Sequence, residues 1–228
     1  MLRIRQDGLN AYVELEIAGP SIGRIKASKG VQLDFGNGSL LAAGNPQHAI
    51  NSIYGQSLIV QARLTPGDGK RPDDRSGPSA EFERQIVQIG IATSAGPLVI
   101  KTGKMYAALQ ALHKCADDMF TGWGISPSTR SELAQEPRIV DGTALARAVD
   151  QAYPKALKRP GKIDRVEFLA VVDANGVATG CHVTRSSEEG FNEHVCSAVL
   201  KARFKPARDD SGAPVAWYYN GAVVHHPG

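Results

Sequence analysis

Two of the three cysteines and two of the six histidines lie within residues 180–209. They are Cys181, His182, His194 and Cys196. Thiolates and imidazoles are the preferred ligands of zinc, and a cysteine near a histidine can also form a nucleophilic pair. A third interpretation is that both thiols are structural. The elements that carry these residues decide among the three.

The sequence "VATGCHVTRSS" predicts a strand, and "FNEHVCSAVLKARF" predicts an amphipathic helix. Neighbours on a strand point to opposite faces, so Cys181 and His182 cannot both face one ion. His194 and Cys196 are separated by about 200° around a helix. The same geometry disfavours a Cys–His nucleophile. We therefore predict no metal site, no catalytic residue, no cofactor and no enzyme activity.

Both cysteines fall on apolar positions of their elements. Cys181 alternates with Val183, and Cys196 belongs to a helical stripe with Phe191, Val195, Val199 and Leu200. Both thiols are thus expected to point into the space between sheet and helix. Two buried thiols and one disulfide remain as alternatives at this point.

The first hundred residues have the pattern of a β-rich module. Short strands are predicted between Gly, Pro and Asn turns, in "AYVELEIAG", "IGRIKA", "VQLDFGNG", "SLIVQARL", "RQIVQIGIA" and "PLVIKTG". In the first of them Val13, Leu15 and Ile17 share one face. We expect a small sandwich or barrel-like sheet. Residues 66–79 are polar and rich in Gly and Pro, which predicts an exposed loop.

A helical period follows, in "KMYAALQALHKCADDMFTGWG". Its predicted apolar stripe consists of Met105, Leu109, Leu112, Ala116 and Met119. Residues 125–140 are polar with two prolines and are predicted to be a linker. We thus expect an α+β protein with a β-rich module closed by a helix at 1–124 and a β-β-α-β domain at 141–228. His225 and His226 are expected to form a frayed tail.

The last third resembles the C-terminal domain of the TonB family, the envelope energy transducers of Gram-negative bacteria. The family pattern is matched in order by Tyr153-Pro154, by the strand and turn "VEFLAVVDANG", by "HVTRSS", by "FNEHVCSAVLKARFKPA" and by the closing strand "GAPVAWYYNGAVV". The resemblance implies an oxidising periplasmic location, which favours the disulfide between Cys181 and Cys196 and leaves Cys115 free.

The resemblance also implies a function and a docking site. The expected function is to dock an extended partner peptide, such as a segment of an outer-membrane receptor, on the edge of the sheet. The implied docking residues at this edge are Ala216, Trp217, Tyr218, Tyr219 and Asn220, and the implied flanking residues are Asp150, Gln151 and Tyr153. The alternative is a soluble periplasmic structural or regulatory protein that forms a homodimer through the same domain without energy transduction.

The charge and hydropathy of the chain exclude other classes of partner. The net charge is +3, and the excess is not clustered, so no nucleic-acid partner is expected. No stretch approaches the roughly 20 apolar residues of a transmembrane helix. The N-terminus lacks the apolar centre of a signal peptide, so we expect either a cytosolic protein or one whose leader or anchor precedes this sequence.

Overall fold

The structure of the protein is a computed structural model. It describes residues 1–6, 12–25, 31–36, 41–42, 44–64, 79–93, 96–159 and 161–226. The chain divides into two compact units, Met1–Met119 and Phe120–Gly228. The loop predicted at 66–79 lies outside the described residues except for Ser79. Helices and sheets occur in both units, which confirms the α+β class.

Among its described residues, the first unit contains two antiparallel sheets and two α-helices. Its elements in chain order are β1 (Leu2–Arg5), β2 (Tyr12–Ala18), β3 (Gln32–Asp34), β4 (Leu41–Ala42), β5 (Gly44–Asn51), β6 (Gly55–Arg63), α1 (Ala80–Gln85), β7 (Gln88–Thr93), β8 (Gly96–Lys101) and α2 (Tyr106–Gly122). The boundary between the units falls within α2, whose last turn, from Phe120, belongs to the second unit.

The two sheets of the first unit share one apolar core. Their strand orders are β1-β2-β6-β5 and β4-β3-β7-β8. Val13, Leu15 and Ile17 are buried from the first sheet, and Leu33 and Ile91 from the second. The predicted alternation of β2 is therefore confirmed, and the arrangement is that of a sandwich.

Three sequence predictions in the first unit were wrong in detail. Residues of "IGRIKA" form a 3₁₀ turn, Ile22–Arg24, which is not a strand. Helix α1 occupies the beginning of "RQIVQIGIA", and Ser79 caps it by accepting a hydrogen bond from the Phe82 amide at 3.2 Å. On α2 the stripe continues from Ala116 to Phe120, while Met119 is 36% exposed. A step of four residues keeps Phe120 on the buried side.

The second unit is built around a three-stranded sheet. Its elements are α3 (Thr129–Glu132), β9 (Leu133–Gln135), β10 (Arg138–Ile139), α4 (Gly142–Ala152), β11 (Asp164–Val172), β12 (Ala178–Ser186), α5 (Glu189–Lys201), β13 (Phe204–Lys205), β14 (Ala207–Asp209), β15 (Pro214–Val215) and β16 (Trp217–His225).

The order of the main sheet is β12-β11-β16, and all its strands are antiparallel. One face carries Val166, Phe168 and Ala170 of β11, and it packs in one core with Phe191 and Val195 of α5. Val199, one turn further along α5, belongs to the same core, whereas Leu200 is exposed and was wrongly placed on the stripe.

Residues 125–140, the predicted linker, carry regular structure. β9 pairs with β14, and β10 pairs with β13, so both short strands add to the second unit. A backbone bond from the Val140 amide to the Arg203 carbonyl, at 2.9 Å, continues this pairing. The observed boundary between the units at Met119 therefore lies before this segment, whereas the sequence placed it within the segment.

Candidate docking edge of the C-terminal sheet

Strand β16 forms one edge of the three-stranded sheet. Each of its nine residues, from Trp217 to His225, is opposite a residue of β11, and the register runs from Val172↔Trp217 to Asp164↔His225 without a shift. Within the described residues, β16 has β11 as its only strand partner. An edge strand of this length presents unpaired N–H and C=O groups on its outer side.

The opposite edge, β12, is less regular. Its pairing with β11 shifts twice, between Glu167 and Phe168 and between Val171 and Val172. Bulges of this kind twist a strand and interrupt the row of outward-facing backbone groups. The two edges of the sheet therefore differ in how well they can accept a further strand.

The side chains of the predicted docking residues divide between the two faces of the sheet. Trp217 and Tyr218 are buried, Ala216 and Tyr219 are half-buried, and Asn220 is exposed. Tyr219 packs against Phe168 and Phe204, with ring centroids 6.3 and 5.3 Å apart. The aromatic side chains of β16 thus fix the strand to its own domain.

Position 221 of β16 requires glycine for a steric reason. It is opposite Phe168, and a Cβ at Gly221 would lie 2.7 Å from the Phe168 ring and 2.6 Å from the Tyr219 ring. Only glycine leaves room for these two rings. The Phe168 ring therefore fills the space that a side chain at position 221 would otherwise occupy.

The second face of the sheet is covered by residues 120–125, of which the sequence assigned 120–124 to the N-terminal module and 125 to the linker. Phe120 is fully buried, and its ring centroid lies 4.8 Å from that of Tyr218. Trp123 stacks on His182 of β12 with centroids 3.8 Å apart. Burial lowers the pKa of His182 below its ordinary value. This short segment therefore contacts both edge strands, and sequence reasoning missed it.

Tyr153, a predicted flanking residue, lies in the core of the domain. Its hydroxyl donates to the buried Asp164 carboxylate at 2.6 Å, and its ring packs against Phe191. Ser187 also donates to Asp164, at 3.0 Å, and Lys162 lies 3.2 Å away. The structure thus places the Tyr153 side chain where it supports the start of β11.

The charges around Asp164 balance its burial. Burial raises the pKa of Asp164, but the hydrogen bonds from Tyr153, Lys162 and Ser187 together hold it below its usual range. The hydrogen bond to Asp164 and burial raise the pKa of Tyr153. Lys162 also pairs with Glu188 at 2.6 Å. The buried carboxylate is therefore ionised and fully partnered at neutral pH.

Asp150 and His225 join helix α4 to the end of β16. His225 Nδ1 lies 2.8 Å from Asp150 Oδ1, and the His225 ring stacks on Tyr153 with centroids 3.8 Å apart. His225 is buried, so the prediction of a frayed tail was wrong at this residue. The sequence pattern indicated this burial, since His225 continues the alternation of the buried Val223. Gln151, next to Asp150, is exposed.

Cys181 and Cys196 form a disulfide between β12 and α5, with their Cα atoms 5.5 Å apart. Cys115 is free and exposed. Both predictions are confirmed, and the bridge ties the β12 edge to the helix. The neighbouring His182 points to the other face of the sheet, towards Trp123, as the strand alternation requires.

The hairpin between β11 and β12 contacts the segment that follows α5. Asp173 Oδ1 accepts hydrogen bonds from the amides of Asn175 and Val177 at 2.9 and 2.8 Å. Gly176 has φ +78°, and a Cβ there would lie 2.1 Å from the carbonyl oxygen of Phe204. The Phe204 amide donates to the Gly176 carbonyl at 3.0 Å. The turn glycine is thus required by both its conformation and this contact.

The elements from the end of α4 to β16 coincide with a known domain. Residues 149–224 match the family model described as Gram-negative bacterial TonB protein C-terminal. The last third of the chain thus matches a TonB-family C-terminal domain. Neither a curated protein nor a solved structure matches the chain.

A TonB C-terminal domain is a protein-interaction module of the bacterial envelope and is not a known enzyme family. The family thereby implies an envelope location and protein partners. Among the helices in the described residues, none combines the length and apolar character needed to cross a bilayer.

Proposed function

We propose that the TonB-like domain docks an extended peptide of a partner protein along β16. The observation that carries this proposal is the nine-residue edge strand, which is paired on one side only within the described residues. A docked peptide would extend the sheet from three strands to four. The main-chain hydrogen bonds would supply affinity, and the side chains beside the edge would supply specificity.

The character of the two edges favours β16 over β12. β12 has an irregular register and is cross-linked to α5. β16 keeps an unshifted register, and its tyrosine side chains pack against Phe120, Phe168 and Phe204. An incoming strand needs a continuous row of N–H and C=O groups at regular spacing, and β16 provides it.

The predicted docking residues have different roles in this proposal. Trp217 and Tyr218 are buried, so they would hold the strand in place, and their backbone would contact the peptide. Asn220 is exposed and can contact the peptide with its side chain. Asp150 and Gln151 would flank the end of the strand, while Tyr153 would position His225 from below.

The partner class follows from the family. We infer an outer-membrane receptor whose periplasmic segment adopts an extended conformation on binding, in a protein that works in the periplasm. The alternative is that two copies of β16 pair with each other and form a homodimer without a receptor. Both use the same edge, and the experiment must separate them.

Proline substitutions test the edge directly because proline cannot donate to a ladder. Inward and outward N–H groups alternate along a strand, so one of Asn220→Pro and Tyr219→Pro removes only an outward N–H. The probe is a set of fluorescein-labelled peptides that copy the N-terminal periplasmic segments of outer-membrane receptors of the same bacterium. Whichever proline variant stays folded by circular dichroism should bind about tenfold more weakly, or about 1.4 kcal/mol.

The alanine variant at the same position is the matched control and should change the affinity by less than about threefold, or roughly 0.7 kcal/mol. Equal binding by the folded proline variant and the wild type would show that peptides dock elsewhere. If the wild type binds no peptide but forms a dimer in sedimentation equilibrium that the same proline variant disrupts, the homodimer alternative is correct.

A further inference from the structure

The first unit contains a cavity of about 620 Å³. Residues of β1 and β2, the 3₁₀ turn, β8 and the beginning of α2 line it. The apolar side chains of Leu2, Ile17, Ile22, Leu98, Ile100 and Met105 line it. A cavity of this size, lined mainly by apolar groups, is in the range of small-molecule binding sites.

The cavity is distinct from the core of the sandwich. Ile17 and Ile22 belong to the buried cluster, whereas Leu98, Ile100 and Met105 are only partly buried against it. These side chains leave apolar surface facing the cavity and, through it, the solvent. Such surface is unfavourable in water and gains stability when an apolar group covers it.

Two lysines line the same cavity. Lys101 ends β8, and Lys104 precedes α2. Within the described residues, neither lysine is in an ion pair. They therefore leave positive charge at the rim of an apolar cavity.

The segment that carries these lysines is held in a defined conformation. The amides of Thr102 and Gly103 both donate to the Val87 carbonyl at 3.1 Å, and the Met105 amide donates to the Ile86 carbonyl at 3.2 Å. The positions of the two lysine backbones are thus fixed before any ligand binds. Preorganisation of this kind lowers the cost of binding.

We propose that this cavity binds a medium-chain fatty acid, with the acyl chain against the apolar lining and the carboxylate at Lys101 and Lys104. An apolar lining selects a hydrocarbon chain, and the lysines select an anionic head group over a neutral or cationic one. The N-terminal sandwich would then be a carrier or sensor of a single-chain anionic amphiphile. This site lies within the first unit and does not depend on the docking edge.

The test uses the full chain and the fluorescent probe 11-(dansylamino)undecanoic acid below its micellar concentration. We expect saturable binding of one probe per chain. Dodecanoate should displace the probe, and dodecanol and dodecyltrimethylammonium should do so at least about tenfold more weakly, a difference of roughly 1.4 kcal/mol. Displacement that is equal for all three would show that the lysines select nothing, and it would overturn the proposal.

Two adjacent alanines of α2 supply a matched pair of variants. Ala108 is exposed and lines the cavity, and Ala107 is exposed and does not. Ala108→Trp should block the cavity and weaken probe binding by at least about tenfold, whereas Ala107→Trp should leave it unchanged, a contrast of roughly 1.4 kcal/mol. Both variants should keep the circular dichroism spectrum of the wild type. Equal binding by the two variants would contradict the assignment of the site.

If Ala108→Trp fails to fold, a variant with reversed charge at the two lysines tests the fatty-acid site instead. The double variant with Lys101→Glu and Lys104→Glu should lose affinity for dodecanoate while retaining affinity for dodecanol. The wild type could instead fail to bind the monomeric probe and bind only vesicles of phosphatidylglycerol. That result would indicate binding to a membrane surface and would refute the fatty-acid site.

Discussion

β12 and β16 flank the same central strand, yet the domain holds them by different means. β12 is joined to α5 by the disulfide, and its register on β11 shifts twice. β16 has an unbroken register and is fixed by the packing of its aromatic side chains and by the contact of His225 with Asp150. One edge is secured covalently, and the other is secured by packing.

This difference suggests a division of roles. A cross-linked edge with bulges is protected from further strand pairing, because its backbone groups are no longer in a regular row. An edge held only from its two faces keeps its outer backbone groups accessible. The domain can therefore be stable and still offer one strand for docking.

Removing Phe120 should have the largest effect, because it supports both edges at once. Phe120 is fully buried and contacts Tyr218 of β16 and Trp123, which itself stacks on β12. Phe120→Ala should destabilise the C-terminal domain by about 3–5 kcal/mol, as is usual for a buried phenylalanine. Urea denaturation followed by circular dichroism measures the loss.

Met119 provides the control on the same helix. Met119→Ala should cost less than about 0.5 kcal/mol because its side chain is 36% exposed. Because Phe120, β9 and β10 pack or pair within the second unit, a fragment 120–228 should unfold at a higher temperature than a fragment 141–228, which lacks them. Equal melting temperatures would show that residues 120–140 contribute nothing to the domain.

Replacing both bridged cysteines should affect the β12 side. The double variant Cys181→Ser and Cys196→Ser opens a loop with a sequence separation of 15 residues and should lose about 3 kcal/mol of stability. Peptide affinity at β16 should change little as long as the domain is folded. Thiol titration of the denatured, unreduced wild type should find one thiol, Cys115, and Cys115→Ser should not alter stability.

A reduction in peptide affinity equal to that of the proline variants would contradict this separation of the edges. It would mean that β12 or α5 contributes directly to docking. An unchanged urea midpoint in the double cysteine variant would instead show that the bridge adds no stability.

Asp164→Asn should weaken the end of the sheet where both edges meet β11. The buried carboxylate accepts hydrogen bonds from Tyr153 and Ser187, so its replacement should cost about 2 kcal/mol at neutral pH. The folded-state pKa of Asp164 lies below its unfolded value. The stabilisation is therefore complete above the unfolded pKa, about 3.9, and is lost as the pH falls through the folded pKa.

The difference in unfolding free energy between the wild type and Asp164→Asn should thus be constant above about pH 5 and narrow below about pH 4. Urea midpoints measured at a series of pH values that extends from above about pH 5 to below about pH 4 give the profile. A difference that widens as the pH falls would contradict the assignment of an ionised, hydrogen-bonded carboxylate.

Asp150→Ala should have the smallest effect. The Asp150 side chain is 57% exposed, so its contact with His225 is screened by solvent and should contribute less than about 1 kcal/mol. The variant releases the end of β16 from α4 without touching the core. Thermal unfolding measures the change, and Gln151→Ala is the neighbouring control, with no expected effect. A loss above about 2 kcal/mol would show that β16 is held mainly at its end.

The sequence was most informative where a local period and a family pattern agreed. The hairpin turn at Asp173, the amphipathic helix α5 and the inward positions of Cys181 and Cys196 all follow from alternation and helical spacing. The disulfide needed one further premise, the oxidising compartment that the resemblance implied. These features depend on residues close in sequence, or on elements that the family pattern already pairs.

The contacts that were missed join distant segments. Phe120 lies on a helix that the sequence assigned to the first module, and nothing in its local period indicates that it packs against Tyr218. The network of Asp164 joins three separate segments around one carboxylate. His225 was misjudged because its position near the end of the sequence outweighed its alternation with Val223. Tertiary packing decided each case, and single-sequence patterns carry little of it.

The exposed thiol of Cys115 gives the protein one natural attachment point. The other two sulfurs are bonded to each other, so a maleimide dye or a nitroxide should label the unreduced protein at Cys115 alone. The residue lies on α2, shortly before the boundary between the two units at Met119. A spectroscopic reporter there would register changes in this shared helix without any engineered cysteine, whether the titrant is a fatty acid or a receptor peptide.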